Sequence, residues 1–125
     1  MSPSDNKRGL TIGSLDVLAT GVPRQYEYKL IVQQLATRHT VLKGSLNFNV
    51  VGRQSEKMVT LPLKDLSDSV AQENIKLRFK YFQTLEGRLK LPDTFEPVRI
   101  ELVAKSTGKQ AVVVEKKFGW LVQEG

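Results

Sequence analysis

The chain has no cysteine in its 125 residues. This absence excludes disulfides, thiolate nucleophiles and sulfur-ligated metal sites, but it does not choose between a reducing and an oxidising compartment. His39 is the single histidine, so a zinc site with several histidine ligands is excluded, and a Ser-His-Asp arrangement would have to use this residue. Because His39 lies in a polar link between two predicted strands, we interpret it as a solvated loop residue.

Long apolar runs are also missing. No stretch approaches the roughly 18 apolar residues that a membrane helix needs, and the first residues, MSPSDNKRG, lack the apolar segment of a signal peptide. Read alone, these features indicate a soluble cytosolic chain. The same polar start is equally compatible with a piece of a longer protein, in which case the compartment must be inferred from elsewhere.

The composition is otherwise that of an ordinary globular domain. Hydrophobic residues make up 40% and charged residues 26% of the chain, which predicts one folded core and indicates neither disorder nor a coiled coil. The net charge is +6 at pH 7. Such an excess attracts anionic partners such as nucleic acid, lipid head groups or acidic glycans, but it also serves solubility when it is spread over many strands. Both interpretations stay open at this point.

Short alternating segments take the place of helices. Apolar and polar residues alternate with a period of two, and turn residues separate the segments. We predict strands over residues 10–18, 25–35, 41–51, 58–63, 75–81, 89–91, 98–105 and 111–122. We expect a bulge at Gly13-Ser14, a break over residues 83–87 and a connecting loop with a short helical turn over residues 64–74. The pattern favours an all-β fold, an antiparallel, immunoglobulin-like β-sandwich of about seven or eight strands.

The domain boundaries follow from the same pattern. Residues 10–122 are predicted to form a single β-sandwich domain. Residues 1–9 are interpreted as a linker from an upstream segment, and residues 123–125 as a tail. The aromatic residues that share the apolar parity of their strands are predicted to belong to the core. They are Tyr26, Tyr28, Phe48, Phe118 and Trp120.

The most suggestive segment for function is residues 75–81, where apolar residues alternate with Lys76, Arg78 and Lys80. These three cations are predicted to share one strand face, which Arg88 and Lys90 extend if their strand pairs with it. The face either binds an anionic partner or is a solvated surface whose charge prevents aggregation. Tyr81 shares the parity of the apolar residues in this segment and is predicted to face the core. Phe82 is the nearby aromatic residue that does not share it. This scarcity of exposed aromatic residues disfavours nucleic acid.

Carboxylates that could serve in acid–base catalysis are present, but their spacing in the sequence does not single out any of them as catalytic. Glu86, Asp93 and Glu96 bracket the region after the basic segment, and they provide the only basis for an envelope hydrolase, which is the last hypothesis. Asp65 and Asp68 lack the dense oxygen-ligand pattern of a calcium loop, and the isolated glycines form no phosphate-binding loop. The sequence therefore predicts no catalytic, cofactor-binding or metal-binding residues and no enzymatic activity.

A resemblance to a known family spans nearly the whole chain. The matching segments are SP at 2–3, KRGL at 7–10, YEYKL at 26–30, GSL at 44–46, LPL at 61–63, FKYFQTLEG at 79–87, LPDTFEP at 91–97 and KFGWLV at 117–122. On these segments the chain resembles the uncharacterised C-terminal β domain of single-pass, coiled-coil-containing inner-membrane proteins of gamma-proteobacteria.

The resemblance implies an anchored protein. Members of that family carry a membrane helix and a coiled coil before this domain, which implies a location on the periplasmic side of the inner membrane and self-association through the coiled coil. It implies no catalytic residues. The expected function is a non-catalytic interaction or scaffolding domain that binds a protein partner in the cell envelope through a sheet face or edge. The alternative is a binder of an anionic polymer, glycan or nucleic acid, through the basic strand face.

Overall fold

The structure, a computed structural model, describes residues 9–34, 40–108 and 111–124. These residues form nine strands and one short 3₁₀ turn at Leu63–Asp65. The strands are β1 (Leu10–Ala19), β2 (Gln25–Gln34), β3 (Leu42–Gln54), β4 (Lys57–Pro62), β5 (Ile75–Phe79), β6 (Phe82–Lys90), β7 (Phe95–Ser106), β8 (Val113–Gly119) and β9 (Val122–Gln123). In this described part of the chain, no helix has the length and apolarity needed to cross a membrane.

The strands form two sheets. Sheet A has the order β6-β2-β1-β9, and sheet B has the order β4-β3-β7-β8. The long strand β3 pairs with two partners on one edge, with β5 along residues 42–46 and with β4 along residues 49–54. The β1–β9 pair is parallel, and the other strand pairs are antiparallel. The prediction of an all-β sandwich is confirmed.

The core lies between the two sheets and follows the alternation of the strands. Leu30 and Val32 of sheet A and Leu46 and Phe48 of sheet B are at most 2% exposed. The rings of Tyr28 and Phe48 lie 5.3 Å apart between centroids and join the two layers. Such aromatic contacts add to the stabilisation from apolar burial. The predicted aromatic core residues are all buried or half-buried against this cluster.

Two irregularities bend the strands where the sequence has glycine or proline. The register of β1 against β2 shifts between Ile12 and Ser14, which confirms the bulge predicted there. A second shift lies in β3 between Val51 and Gly52, opposite Pro97 of β7. Proline has no backbone N–H to donate, and a bulge is a position where an inner strand accepts it.

Two predictions about strand limits are wrong. Residues 83–87 do not break the chain, because β6 pairs with β2 without interruption from Phe82 to Lys90. Gly87 does not form a turn. It leaves room for the Tyr28 side chain, since a Cβ at this position would lie 2.9 Å from the Tyr28 hydroxyl oxygen. The last segment is not one strand either: β8 ends at Gly119, and the chain then crosses to sheet A as β9. Gln123, placed in the tail by the sequence, pairs there with Leu18.

Candidate functional site

Four of the five cations singled out by the sequence are divided between the two sheets, and the fifth, Lys80, lies in the connection between β5 and β6. Lys76 and Arg78 lie on β5, an edge strand of sheet B, and their side chains are exposed as predicted. Arg88 and Lys90 lie on β6, an edge strand of sheet A. The proposed extension depended on pairing between β5 and β6, and that condition is not met, because β5 pairs with β3 and β6 pairs with β2.

Two other lysines join the β5 cations instead. Lys43 is opposite Arg78 in the β3–β5 register, and Ser45 is opposite both Lys76 and Lys105. Side chains of paired residues project from the same face of a sheet. The outer face of sheet B therefore carries four exposed cations, which we call the basic face: Lys43, Lys76, Arg78 and Lys105.

The basic face is not neutralised by neighbouring carboxylates. Among the described residues, the salt bridges join Lys64 to Glu73, Arg88 to Glu27, and Arg99 to Glu101. None of them includes a residue of the basic face. The sequence carries a signal for this charge separation that does not depend on strand assignment: residues 28–55, 74–85 and 102–114 contain no aspartate or glutamate.

An exposed apolar group lies beside the basic face. Tyr81 is 57% exposed, Phe82 62% and Val41 47%, and we call these three residues the aromatic corner. The inward assignment of Tyr81 is wrong, because β5 ends at Phe79 and the chain then crosses from sheet B to sheet A. The Lys80 ammonium lies 6.0 Å from the centroid of the Tyr81 ring, within the range of a cation–π interaction.

Two glutamines hold this end of the sandwich together. The Gln83 side chain accepts a hydrogen bond from the backbone N–H of Arg78 at 2.8 Å and donates one to the carbonyl of Lys76 at 3.3 Å. Gln34 Nε2 donates to the carbonyls of Thr40 and Lys80, at 2.8 and 2.7 Å. Gln83 thus satisfies part of the open edge of β5, and the cationic side chains are displayed from a strand fixed to both sheets.

A second surface lies at the other end of the sandwich. Leu121 is 79% exposed, Val98 44% and Val122 37%, and we call these residues the apolar edge. The backbone N–H of Trp120 donates a hydrogen bond to the Val98 carbonyl at 3.0 Å, which brings the β8–β9 connection against β7. The Trp120 ring also packs edge-to-face on Tyr26 at 5.2 Å. The exposed residues are therefore supported by a packed, half-buried layer.

A buried polar group lies beneath β6. Ser67 is only 4% exposed, and its hydroxyl oxygen is 3.1 Å from that of Ser69. Burial raises the pKa of the Tyr28 hydroxyl above its ordinary value of 10.0, while hydrogen bonds from Ser67 and Ser69 act in the opposite direction. Tyr28 and Ser67 are each 4% exposed, so this contact is a structural feature of the sandwich.

The raised pKa of Tyr28 predicts a specific loss of stability in alkali. Because folding favours the protonated phenol, the stability that this group contributes is fully present below the unfolded-state pKa of 10.0 and is lost as the pH rises through the folded-state pKa. We expect Tyr28→Phe to lower the free energy of unfolding by about 1 kcal/mol at neutral pH and to remove this part of the alkaline decline. Urea titrations from neutral to alkaline pH measure both effects. An alkaline decline in stability that Tyr28→Phe leaves unchanged would refute the assignment.

The candidate catalytic residues are dispersed. Glu86 lies on β6 opposite Lys29 in sheet A, whereas Glu96 lies on β7 opposite Arg53 in sheet B. Glu86 and Asp93 line different open depressions beside β6. This arrangement lends no support to an acid–base pair. His39 lies outside the described residues, and within them no cluster of histidine and carboxylate side chains could hold a metal ion.

The fold and its surfaces define an all-β sandwich domain with a charged end and an apolar end. The chain belongs to the family of unknown function DUF6776, whose profile matches residues 1–102. The match includes the aromatic corner and ends within β7, before Lys105 of the basic face. A comparison with curated proteins finds no match.

Proposed function

We propose that this domain is a non-catalytic interaction module that binds a protein partner through the apolar edge. The observation that carries the proposal is the exposure of Leu121, Val98 and Val122 on one end of the sandwich. Exposed apolar side chains grouped over a rigid layer are typical of protein interfaces, because docking removes their apolar area from water. Membership in the family is compatible with this role and assigns no activity.

The geometry of sheet A supports binding at its edge. β9 pairs with β1 only at Val17 and Leu18. Among the described strands, none is hydrogen-bonded to the same side of β1 along residues 10–16. An extended partner segment would continue the line of β9 by adding a strand to this edge, and its side chains would contact the apolar edge at the end of the sandwich.

The proposed setting is the cell envelope. The resemblance of the chain to anchored, coiled-coil-containing proteins supports a domain held on the periplasmic side of the inner membrane by an upstream helix. A coiled coil before the domain would also bring copies of it together, so that weak single contacts would act jointly. In this setting the protein partner would be another envelope protein.

The test places a photo-reactive amino acid at position 121 of the full-length protein in cells. We expect a defined cross-linked partner from this position, and a loss of at least tenfold in its recovery when Val98→Lys is added, on the order of what a charge buried in an interface costs. The matched control places the same probe at Met58, which is 51% exposed on β4. Equal cross-linking from positions 121 and 58, or recovery that Val98→Lys leaves unchanged, would contradict the proposal.

A further inference from the structure

The charge distribution points to a second binding surface with a different partner. We infer that the basic face and the aromatic corner together bind the surface of an anionic lipid bilayer. This site does not depend on the apolar edge. Ser45, opposite Lys105, and Val51, beside the bulge at Val98, are six positions apart on β3. At the rise of a β-strand this separation is about 20 Å.

The cations form an array in two dimensions. Lys76 and Arg78 are alternate residues on β5, and Lys43 is the cross-strand neighbour of Arg78. Lys105 extends the array across β3 to β7. With alternate residues about 7 Å apart along a strand and neighbouring strands about 5 Å apart, the four charges cover a patch of roughly 7 by 10 Å. An array of this shape matches the head groups of a surface better than it matches a single linear chain of charges.

The absence of acidic residues makes the array attractive to such a surface. The three segments that carry it contain no aspartate or glutamate, so an approaching anionic surface meets no carboxylate from them. Each lysine or arginine near an anionic bilayer contributes about 1 kcal/mol at physiological ionic strength. Four cations of the basic face, with Lys80 beside them, are enough to hold a small domain at the surface reversibly.

The aromatic corner supplies the apolar part of the contact. Tyr81 and Phe82 are consecutive, more than half exposed, and lie where the chain turns between the sheets. Val41 adds a branched aliphatic side chain beside them, since it precedes Leu42, the partner of Phe79. Aromatic and aliphatic groups next to cations are the pattern by which peripheral proteins enter the interfacial layer of a bilayer. Base stacking would use the aromatic rings but would give Val41 no role.

The experiment measures binding of the purified domain to vesicles of phosphatidylglycerol mixed with phosphatidylcholine, and to phosphatidylcholine alone. We expect sedimentation with the mixed vesicles only, and weaker binding as salt increases, because the charges are exposed and screened. The double variant Lys43→Gln with Arg78→Gln should bind about 25-fold more weakly at low salt, about fivefold for each charge removed. Sedimentation equal to that of the wild type would overturn the inference.

The matched control removes two cations from β6. Arg88→Gln with Lys90→Gln changes the net charge by the same amount, but Arg88 is already paired with Glu27 at 3.5 Å and both residues lie on the other sheet. We expect this variant to retain most of the binding. An equal loss in both double variants would show that the vesicles respond to net charge alone, and it would refute a defined site.

Insertion of the aromatic corner has its own readout. Phe82→Trp should shift its fluorescence emission to shorter wavelength when mixed vesicles are added, because the indole leaves water. Phe82→Ser should weaken binding several-fold with little change in its salt dependence. An emission spectrum that does not move would contradict insertion.

A linear anionic polymer is the competing occupant, and heparin and single-stranded DNA are the probes for it. Binding to either probe that Lys43→Gln with Arg78→Gln abolishes, combined with no sedimentation of the wild type with vesicles, would assign the basic face to a polymer instead. Because Val98 and Leu121 lie at the other end of the sandwich, loss of vesicle binding and loss of the cross-linked protein partner are separate results.

Discussion

Gly44→Ala is expected to prevent stable folding or to reduce the free energy of unfolding by at least about 3 kcal/mol. A Cβ at this position would lie 2.0 Å from the carbonyl oxygen of Lys105, 2.9 Å from its carbonyl carbon and 3.0 Å from the Cα of Ser106. All three atoms belong to the backbone of β7, so no side-chain rotation relieves the overlap. β3 and β7 would have to separate where their pairing begins, since Gly44 is opposite Ser106, the last residue of β7.

The control for this variant is Gly119→Ala. Gly119 also lies in a strand of sheet B, at the end of β8, but a Cβ there would have no atom within 4 Å. Alanine should therefore change the stability by no more than about 0.5 kcal/mol, with a small gain from the reduced freedom of the unfolded chain. Urea denaturation followed by circular dichroism measures both variants. Equal midpoints would mean that the close approach at Gly44 does not constrain the fold.

The alternation of apolar and polar residues predicts which side chains of most strands are buried, because in a two-sheet fold every second residue of a strand faces the core. Residues such as Leu30 and Phe48 are buried where the period of two placed them. The same rule contains no information about where a strand ends. Tyr81 continues the parity of Phe79, yet β5 stops at Phe79 and the crossing between sheets leaves Tyr81 exposed. Parity therefore predicts the exposure of Phe82 but not that of Tyr81.

Strand neighbours are a second kind of information that local patterns lack. Lys43 and Lys105 are 62 positions apart in the chain, and only the registers of β3 with β5 and β7 bring them to one face. Arg88 and Lys90 lie closer in sequence to Lys80, but they belong to the other sheet. The distribution of acidic residues was the sequence signal that could have indicated a common basic surface, because it does not depend on strand order.

Gly87 and Gln83 are residue types typical of turns, but in this fold both have roles inside or beside strands. The local pattern predicts that Gly87 belongs to a break, but it lies inside β6 where the Tyr28 side chain passes close to the backbone. The pattern places Gln83 in the same break, whereas its side chain satisfies part of the open edge of β5 across the gap between the sheets. Both roles depend on residues that are distant in the sequence, so composition alone suggested a turn.

Phe48→Ala is expected to lower the free energy of unfolding by about 3 to 5 kcal/mol. Phe48 is 2% exposed on the inner face of β3, and its ring is in contact with that of Tyr28 in the opposite sheet. Truncation removes apolar contacts from both layers and leaves a cavity that the surrounding strands cannot fill without changing their register. The loss should appear as a lower urea midpoint with a similar slope, since the surface exposed on unfolding changes little.

Phe82→Ala completes this test because it removes the same side chain from a 62% exposed position. Its urea midpoint should remain close to that of the wild type, since little apolar area is transferred to water. If the aromatic corner enters a bilayer, the same variant should lose affinity for phosphatidylglycerol-containing vesicles. At temperatures where it stays folded, Phe48→Ala should bind them normally, because its truncated side chain lies inside the sandwich.

The two phenylalanines would then separate stability from binding. Phe48→Ala changes the urea midpoint, and Phe82→Ala changes the affinity for vesicles. A change of both properties by Phe82→Ala would show that the aromatic corner is part of the folded core.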